Sequence, residues 1–172
     1  DVSLDDPDDL LSLTSFTETS STNGATRTRT YNAENGQITS ISSEGRRSIF
    51  TIDDLGRTTS IEWIGLAPTN LVYDARGRLE QLVVGTNASD PTARVSTLLY
   101  YDATDPASGA LNGLVRSIVD ALEQETGIAY AESGWERSNV LADGNVIAFE
   151  RDSTGNLVSL MPAGRPAHII DY

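Results

Sequence analysis

The 172-residue chain carries 25 carboxylates, 12 basic residues that are all arginine, one histidine and no cysteine. That inventory limits the chemistry open to it. Without cysteine there is no thiol nucleophile, no disulfide staple and no thiolate zinc site. His168 stands alone in Arg165-Pro166-Ala167-His168-Ile169-Ile170, a strand-like run in which a single histidine reads as structural. No Gly-x-Ser-x-Gly elbow and no phosphate-binding glycine loop occurs. The carboxylates remain. Two in a cleft could hydrolyse a glycosidic bond, and a cluster could hold a hard cation. Asp1, Asp5, Asp6, Asp8 and Asp9 crowd around Pro7. They read as a solvated, flexible lead. Asp5, Asp6, Asp8 and Asp9 are weak calcium candidates, because the spacing lacks the EF-hand pattern. Trp63 and Trp135 could stack on sugar rings if exposed, or pack across strands. Asn87-Ala88-Ser89 is a glycosylation triplet in the predicted loop Gly85 to Arg94.

The other conspicuous aspartates, Asp53, Asp74, Asp102 and Asp152, sit in a pattern. Gly36, Gly56 and Gly77 are 20 and 21 residues apart, and Gly113, Gly134 and Gly155 are 21 and 21 apart. The 36-residue step between the two sets is one period plus an insertion, Ala103 to Asn112. Gly36-Gln37-Ile38-Thr39-Ser40-Ile41, Gly56-Arg57-Thr58-Thr59-Ser60-Ile61, Gly77-Arg78-Leu79-Glu80-Gln81-Leu82, Gly113-Leu114-Val115-Arg116-Ser117-Ile118 and Gly155-Asn156-Leu157-Val158-Ser159-Leu160 repeat one another. Gly134 keeps the spacing but loses the apolar pair. Tyr73-Asp74 precedes Gly77, and Tyr31-Asn32, Ile52-Asp53, Tyr130-Ala131 and Arg151-Asp152 hold the same place. The first of these has one extra residue.

The unit is therefore Tyr-Asp-x-x-Gly-Arg-Leu-x-x-Leu, about 21 residues long. Aspartate or asparagine opens a turn by accepting hydrogen bonds from its backbone. Glycine supplies the left-handed residue that closes a hairpin with a bulge. A second turn signal follows about nine residues after most of these glycines, as at Glu44-Gly45, Gly65, Gly85, Asp143-Gly144 and Gly164-Arg165-Pro166, and most weakly at Asp120 to Glu123. The 18 Thr and 18 Ser suit a pleated, half-wet surface. The fold expected is all-β: about seven antiparallel hairpins in tandem, after an acidic lead and first strand over residues 1–28, with the array over 29–172. Residues 10–19 and 26–31 form its leading hairpin. One segment competes. Leu111, Leu114, Val115, Ile118, Val119 and Leu122 have helical spacing, whereas the repeat register predicts strand and turn there.

Leu71-Val72-Tyr73-Asp74-Ala75-Arg76-Gly77-Arg78-Leu79 resembles a YD repeat of the Rhs/YD-repeat family. The run from Asp152 through Gly155-Asn156-Leu157 to His168 is similar to a variant found in teneurin-like bacterial Rhs proteins, and Ile118 to Thr126 resembles the family's hairpin return. The resemblance covers roughly residues 10–172. It implies hairpins stacked into a curved, spiralling β-shell, with Asp53, Gly56, Tyr73, Asp74, Gly77, Arg78, Asp152 and Gly155 as its structural turns. Rhs shells often end in an Arg-Tyr-Tyr-Asp-Pro stretch before a self-cleavage site. Tyr100-Tyr101-Asp102 departs from it, with Leu99 before the pair and Ala103 after Asp102, so self-cleavage is not carried over.

The implied role is non-enzymatic and needs no cofactor: a segment of a secreted or cell-surface wall that encloses cargo or builds an extracellular structure. Its partners would be further repeats of the same or neighbouring chains, an enclosed polypeptide or a cell-surface glycan. Alternatives are a filament or tube subunit joined through open strand edges near residues 10–19 and 167–172, and a carbohydrate-binding adhesive module. A net charge of −13 argues against nucleic acid and anionic membrane. No apolar run approaches the roughly 18–20 residues of a membrane helix. No basic-then-apolar secretory leader follows Asp1, as would also hold for a mature or excised fragment.

Overall fold

The computed structural model describes residues 1–9, 11–103 and 109–172. Among them it is all-β, apart from one 3-10 turn at Gly109–Leu111. Two compact units divide the chain, Asp1–Arg94 and Val95–Tyr172. The first contains β1 (Val2–Leu4), β2 (Leu13–Thr22), β3 (Ala25–Asn32), β4 (Gln37–Ile41), β5 (Arg47–Ile52), β6 (Thr58–Trp63), β7 (Thr69–Tyr73) and β8 (Leu79–Val84). The second contains β9 (Arg94–Tyr100, which starts at the boundary), β10 (Val115–Val119), β11 (Glu125–Tyr130), β12 (Glu136–Val140), β13 (Val146–Arg151), β14 (Leu157–Met161) and β15 (His168–Ile169). Within each unit, strand order along the sheet is strand order along the chain, and every pairing is antiparallel.

The helical spacing over 111–124 does not produce a helix. Val115–Val119 is β10, and Ser117 and Ile118 pair with Leu99 and Leu98 on one side and with Gly127 and Thr126 on the other. A helix here would satisfy its own backbone but leave the facing edges of β9 and β11 without their partner strand. The turn chemistry of the repeat prevails over the local period. The insertion Ala103 to Asn112, with Asp105-Pro106, falls partly on 104–108, outside the described residues.

The expected flexible lead is corrected in part. Val2–Leu4 is a strand that pairs Val2 with Phe16 and Ser3 with Ser15. Asp1 also donates its amino group to the Thr17 carbonyl, at 2.8 Å. β2 therefore has partners on both flanks and is not the open edge expected near residues 10–19, of which Leu10 lies outside the described residues. The expected boundary after residue 28 falls inside β3, where pairing with β2 continues unbroken from Thr22–Ala25 to Ser15–Asn32.

One irregularity recurs with the repeat. Tyr73 pairs with Leu79 but Val72 pairs with Gln81, so Glu80 is an extra residue on β8. The same offset leaves Thr59 extra on β6, Arg116 on β10, Arg137 on β12 and Val158 on β14. Each is three residues after its repeat glycine. A bulge of this kind bends its strand and sharpens the local twist. The first hairpin lacks it: Asn32 pairs with Gln37 and Tyr31 with Ile38. The extra residue there sits in the turn.

Little of this sheet is buried. Among the described residues, Val83 is the one fully buried apolar side chain, and the buried polar ones are Ser40, Ser48, Ser117 and Ser159. Three of those serines stand four residues after a repeat glycine. Most strand residues are half-buried, as in a single layer whose side chains cover one another along the sheet. Such a layer draws its stability from neighbour-to-neighbour contacts.

Candidate functional site

The chemistry-bearing residues of the repeat converge on its turns. In the β7–β8 turn the Asp74 N–H donates to the Arg78 carbonyl and the Gly77 N–H to the Asp74 carbonyl, both at 2.8 Å. Asp74 Oδ1 accepts from the Arg76 and Arg78 N–H groups, each at 2.9 Å. Its Oδ2 accepts from Arg78 Nε and Nη2, both at 2.7 Å. Asp53 is bound in the same way in the β5–β6 turn, by the Leu55 and Arg57 N–H groups and by Arg57 Nε and Nη2. In both turns two guanidinium nitrogens converge on one carboxylate oxygen, a charge-assisted contact. Asp152 replaces arginine with small polar partners. It accepts from Thr154 N and Oγ1 and from Asn156 N and Nδ2.

These bonds favour the ionised carboxylates. The hydrogen bond from the Thr154 hydroxyl, then those from the turn backbone and Asn156, hold Asp152 down from 3.8 to about 2. Backbone and side-chain bonds from Arg78 lower Asp74, and the Arg57 guanidinium lowers Asp53. Asp53, Asp74 and Asp152 each cap the backbone of their own turn.

The glycines are required by backbone shape. Gly56, Gly77 and Gly155 have φ of 75°, 80° and 95°, a region costly for residues with a Cβ. The weakest predicted turn, Asp120 to Glu123, has the same hydrogen bonds: Glu123 N–H to the Asp120 carbonyl at 3.0 Å, with Asp120 Oδ1 accepting from Leu122 and Gln124. Glu123 occupies the glycine position at φ 61°. No composition signal marked it, because the turn closes with the wrong residue in the left-handed place.

Successive turns also touch. Tyr73 donates its hydroxyl to the Thr58 carbonyl at 2.7 Å, and Tyr130 donates to the Val115 carbonyl at 2.9 Å. Both acceptors lie fifteen residues upstream and two after a repeat glycine, so the repeat tyrosine bolts its hairpin to the preceding one. The Arg57 guanidinium stacks over the Tyr73 ring at 4.4 Å and reaches Gly77, where a Cβ would lie 3.1 Å from Nη1. Trp135, also one residue after its glycine, covers Gly155. A Cβ there would lie 2.7 Å from Cζ2. Tyr101, beside the insertion, instead reaches forward to the Ile128 carbonyl at 3.2 Å and meets Tyr130 edge to face.

The remaining candidates separate from these turns. Asp6 and Asp9 cap their own loop, accepting from the Asp8 and Leu11 N–H groups. Among the described residues no three carboxylates or imidazoles lie close enough to hold a metal ion. His168 is exposed on β15. Asn87 is exposed and its Oδ1 accepts from the Ser89 N–H at 2.9 Å. Of the two tryptophans, Trp135 lies over Gly155 yet keeps 40% of its surface exposed, and Trp63 is 53% exposed and meets Phe50 edge-on. It borders a shallow groove with Arg47, Ile49, Glu62, Ile64 and Leu66.

No family model matches the chain, and no curated protein matches it. Among solved structures it is similar to a chain of TcdB2-TccC3-TEV, with 12% identity and a TM-score of 0.39, and to one of TcdB2-TccC3 without its hypervariable C-terminal region, with 13% identity and a TM-score of 0.42. Each alignment covers 92% of this chain and 12% of the other, so the chain spans about an eighth of either length. Likeness of that degree assigns neither a family nor an activity.

Proposed function

We propose that the chain is a non-enzymatic structural module, a stretch of hairpin-repeat wall from a secreted or cell-surface protein, whose partners are further repeats of its own or neighbouring chains. The hairpin-to-hairpin bolt carries this reading: Tyr73 to Thr58 and Tyr130 to Val115, the same atoms at the same fifteen-residue offset. A contact reproduced at one register position propagates a layer and builds no cleft. The repeat aspartates Asp53, Asp74 and Asp152 support it from the chemical side, since each caps its own turn. Rhs-type shells, which the repeat resembles, give the finer version, a wall around an enclosed polypeptide.

Limited proteolysis of the full natural protein that contains this array tests the enclosure. A segment outside the repeats should resist cleavage in the intact protein and become sensitive once the turns are opened by Asp53→Ala and Asp74→Ala together. Equal cleavage in both proteins would refute it. Dynamic light scattering of the isolated chain tests the assembly alternative, which requires particle size to grow with concentration.

A further inference from the structure

We infer that Asn23 is a site of spontaneous covalent modification, deamidating through a cyclic imide with Gly24 ahead of the other Asn-Gly pairs of the chain. Three such pairs occur, Asn23-Gly24, Asn35-Gly36 and Asn112-Gly113. The chemistry open to each is the same. The glycine backbone nitrogen loses its proton and attacks the carbonyl carbon of the asparagine side chain. A new N–C bond forms, the side-chain amide C–N bond breaks and ammonia leaves. Water then opens the imide at either carbonyl, giving aspartate or isoaspartate. Nothing is oxidised or reduced. A pair therefore reacts fastest where the glycine nitrogen is uncommitted and the turn can relax toward the attack geometry.

The structure ranks the three. The Gly113 N–H donates to the Tyr101 carbonyl at 3.0 Å. Gly36 is held against the next hairpin. Its carbonyl accepts from the Ile52 N–H at 2.8 Å, and a Cβ on it would lie 2.6 Å from the Ile52 carbonyl oxygen. Asn35 Oδ1 also accepts from the Gln37 N–H, at 3.1 Å. Gly24 has no such ties. Its N–H makes no hydrogen bond among the described residues, and a Cβ on it would meet nothing within 4 Å. Asn23 and Gly24 both have positive φ, 52° and 79°, as in a two-residue Asn-Gly hairpin turn. The strands behind that turn are loosely held as well. Asp1 and β1 flank β2 only as far as Thr17, and β4 flanks β3 only from Thr28 onward. Residues Glu18 to Arg27 therefore form a two-stranded ribbon, all of them exposed. The Arg27 guanidinium ties it to Ser40 on β4, at 3.3 Å. Two strands alone are marginally stable in water, so the tip opens locally while the sheet stays paired. The product places a carboxylate in the turn and, as isoaspartate, one extra backbone carbon. This site stands apart from the wall reading and does not depend on it.

Ageing the intact chain in mildly alkaline buffer, then cleaving after arginine for mass spectrometry, tests the site. The three pairs fall in separate peptides, residues 1–27, 30–46 and 95–116. Asn23 is the one amide side chain in the first of these, so a gain of water with loss of ammonia there reports Asn23 alone. Isomerisation of the neighbouring aspartates leaves the mass unchanged. The product should appear in 1–27 first, about five- to tenfold faster than in 95–116, the factor set by opening one backbone hydrogen bond. In guanidinium chloride the three rates should converge, because folding and not the Asn-Gly letters sets the order. Equal rates in the folded chain, or earlier product in 30–46 or 95–116, overturn the assignment. So does an order that guanidinium chloride leaves unchanged.

Discussion

The turns at Asp74–Arg78 and Ala131–Trp135 have the same backbone and almost nothing else in common. In both, the first residue donates to the carbonyl of the fifth at 2.8 Å, and glycine donates back to the first residue's carbonyl at 2.8 and 2.9 Å. In both, the following strand carries the bulge three residues after the glycine. The first turn adds a carboxylate that takes two hydrogen bonds from the turn backbone and two from the Arg78 guanidinium. The second has Ala131 in that place and no cap at all. The residue after glycine diverges too: Arg78 turns back on its own aspartate, whereas Trp135 reaches forward onto Gly155. Glycine and strand pairing thus set the turn, while the aspartate secures it and the next position chooses between self-contact and neighbour contact.

If glycine sets the turn, its loss is the largest lesion. Gly36→Val places a Cβ 2.6 Å from the Ile52 carbonyl oxygen at φ 61°, so backbone must move. It should cost about 3 kcal/mol or more in urea unfolding. Gly144→Ala meets nothing within 4 Å at φ 82°, and should cost only about 1 kcal/mol of left-handed strain. Equal costs would mean that open space around a turn is irrelevant here.

The polar substitution in the uncapped hairpin comes next. Asn139 stands where the other units carry Ile or Leu, between Ile128 and Ile147, and its Oδ1 is buried without a partner. Asn139→Leu should stabilise by about 1–2 kcal/mol, the cost of an unsatisfied buried acceptor. Glu123→Gly relieves a left-handed residue and should add about 0.5–1 kcal/mol. Both should raise Tm in calorimetry, and a fall in either would remove the consensus logic.

The smallest effects distinguish the caps. Asp74→Ala should lower Tm by a few degrees, and Ala131→Asp should raise it by less, because Trp135 offers no guanidinium. The caps also predict acid sensitivity. Asp53, Asp74 and Asp152 are lowered in the folded chain, so their contribution is present above the unfolded value of 3.8 and is lost as pH falls toward about 2 for Asp152. Stability should be flat down to about pH 4 and then decline. Removing Asp152 should flatten that decline, and an unchanged slope would show that other carboxylates dominate.

Much of this was legible because it is local. A repeat glycine with Asp three before it, as at Gly56, Gly77 and Gly155, specifies a turn whose hydrogen bonds close within five residues. The strand faces were less legible. The bulge at Thr59, Glu80, Arg116, Arg137 and Val158 breaks the two-residue alternation inside each return strand, and no residue type marks it. β1 was hidden because Val2-Ser3-Leu4 is too short to show a period and is flanked by aspartates. The Asp120 turn was faint because Glu123 replaces its glycine. Trp63 and Trp135 were equivalent as letters in a sequence.

What the sequence alone determined is where the chain reverses and hence which strands are hairpin partners, because turn chemistry and glycine conformation act over a few residues. Only the tertiary structure decided how one hairpin grips the next: which carbonyl the repeat tyrosine finds, and which glycine lies beneath Arg57 or Trp135. Those contacts join residues fifteen to twenty positions apart across the sheet. Their partners are chosen by register and bulge geometry, which exist only once the strands are paired.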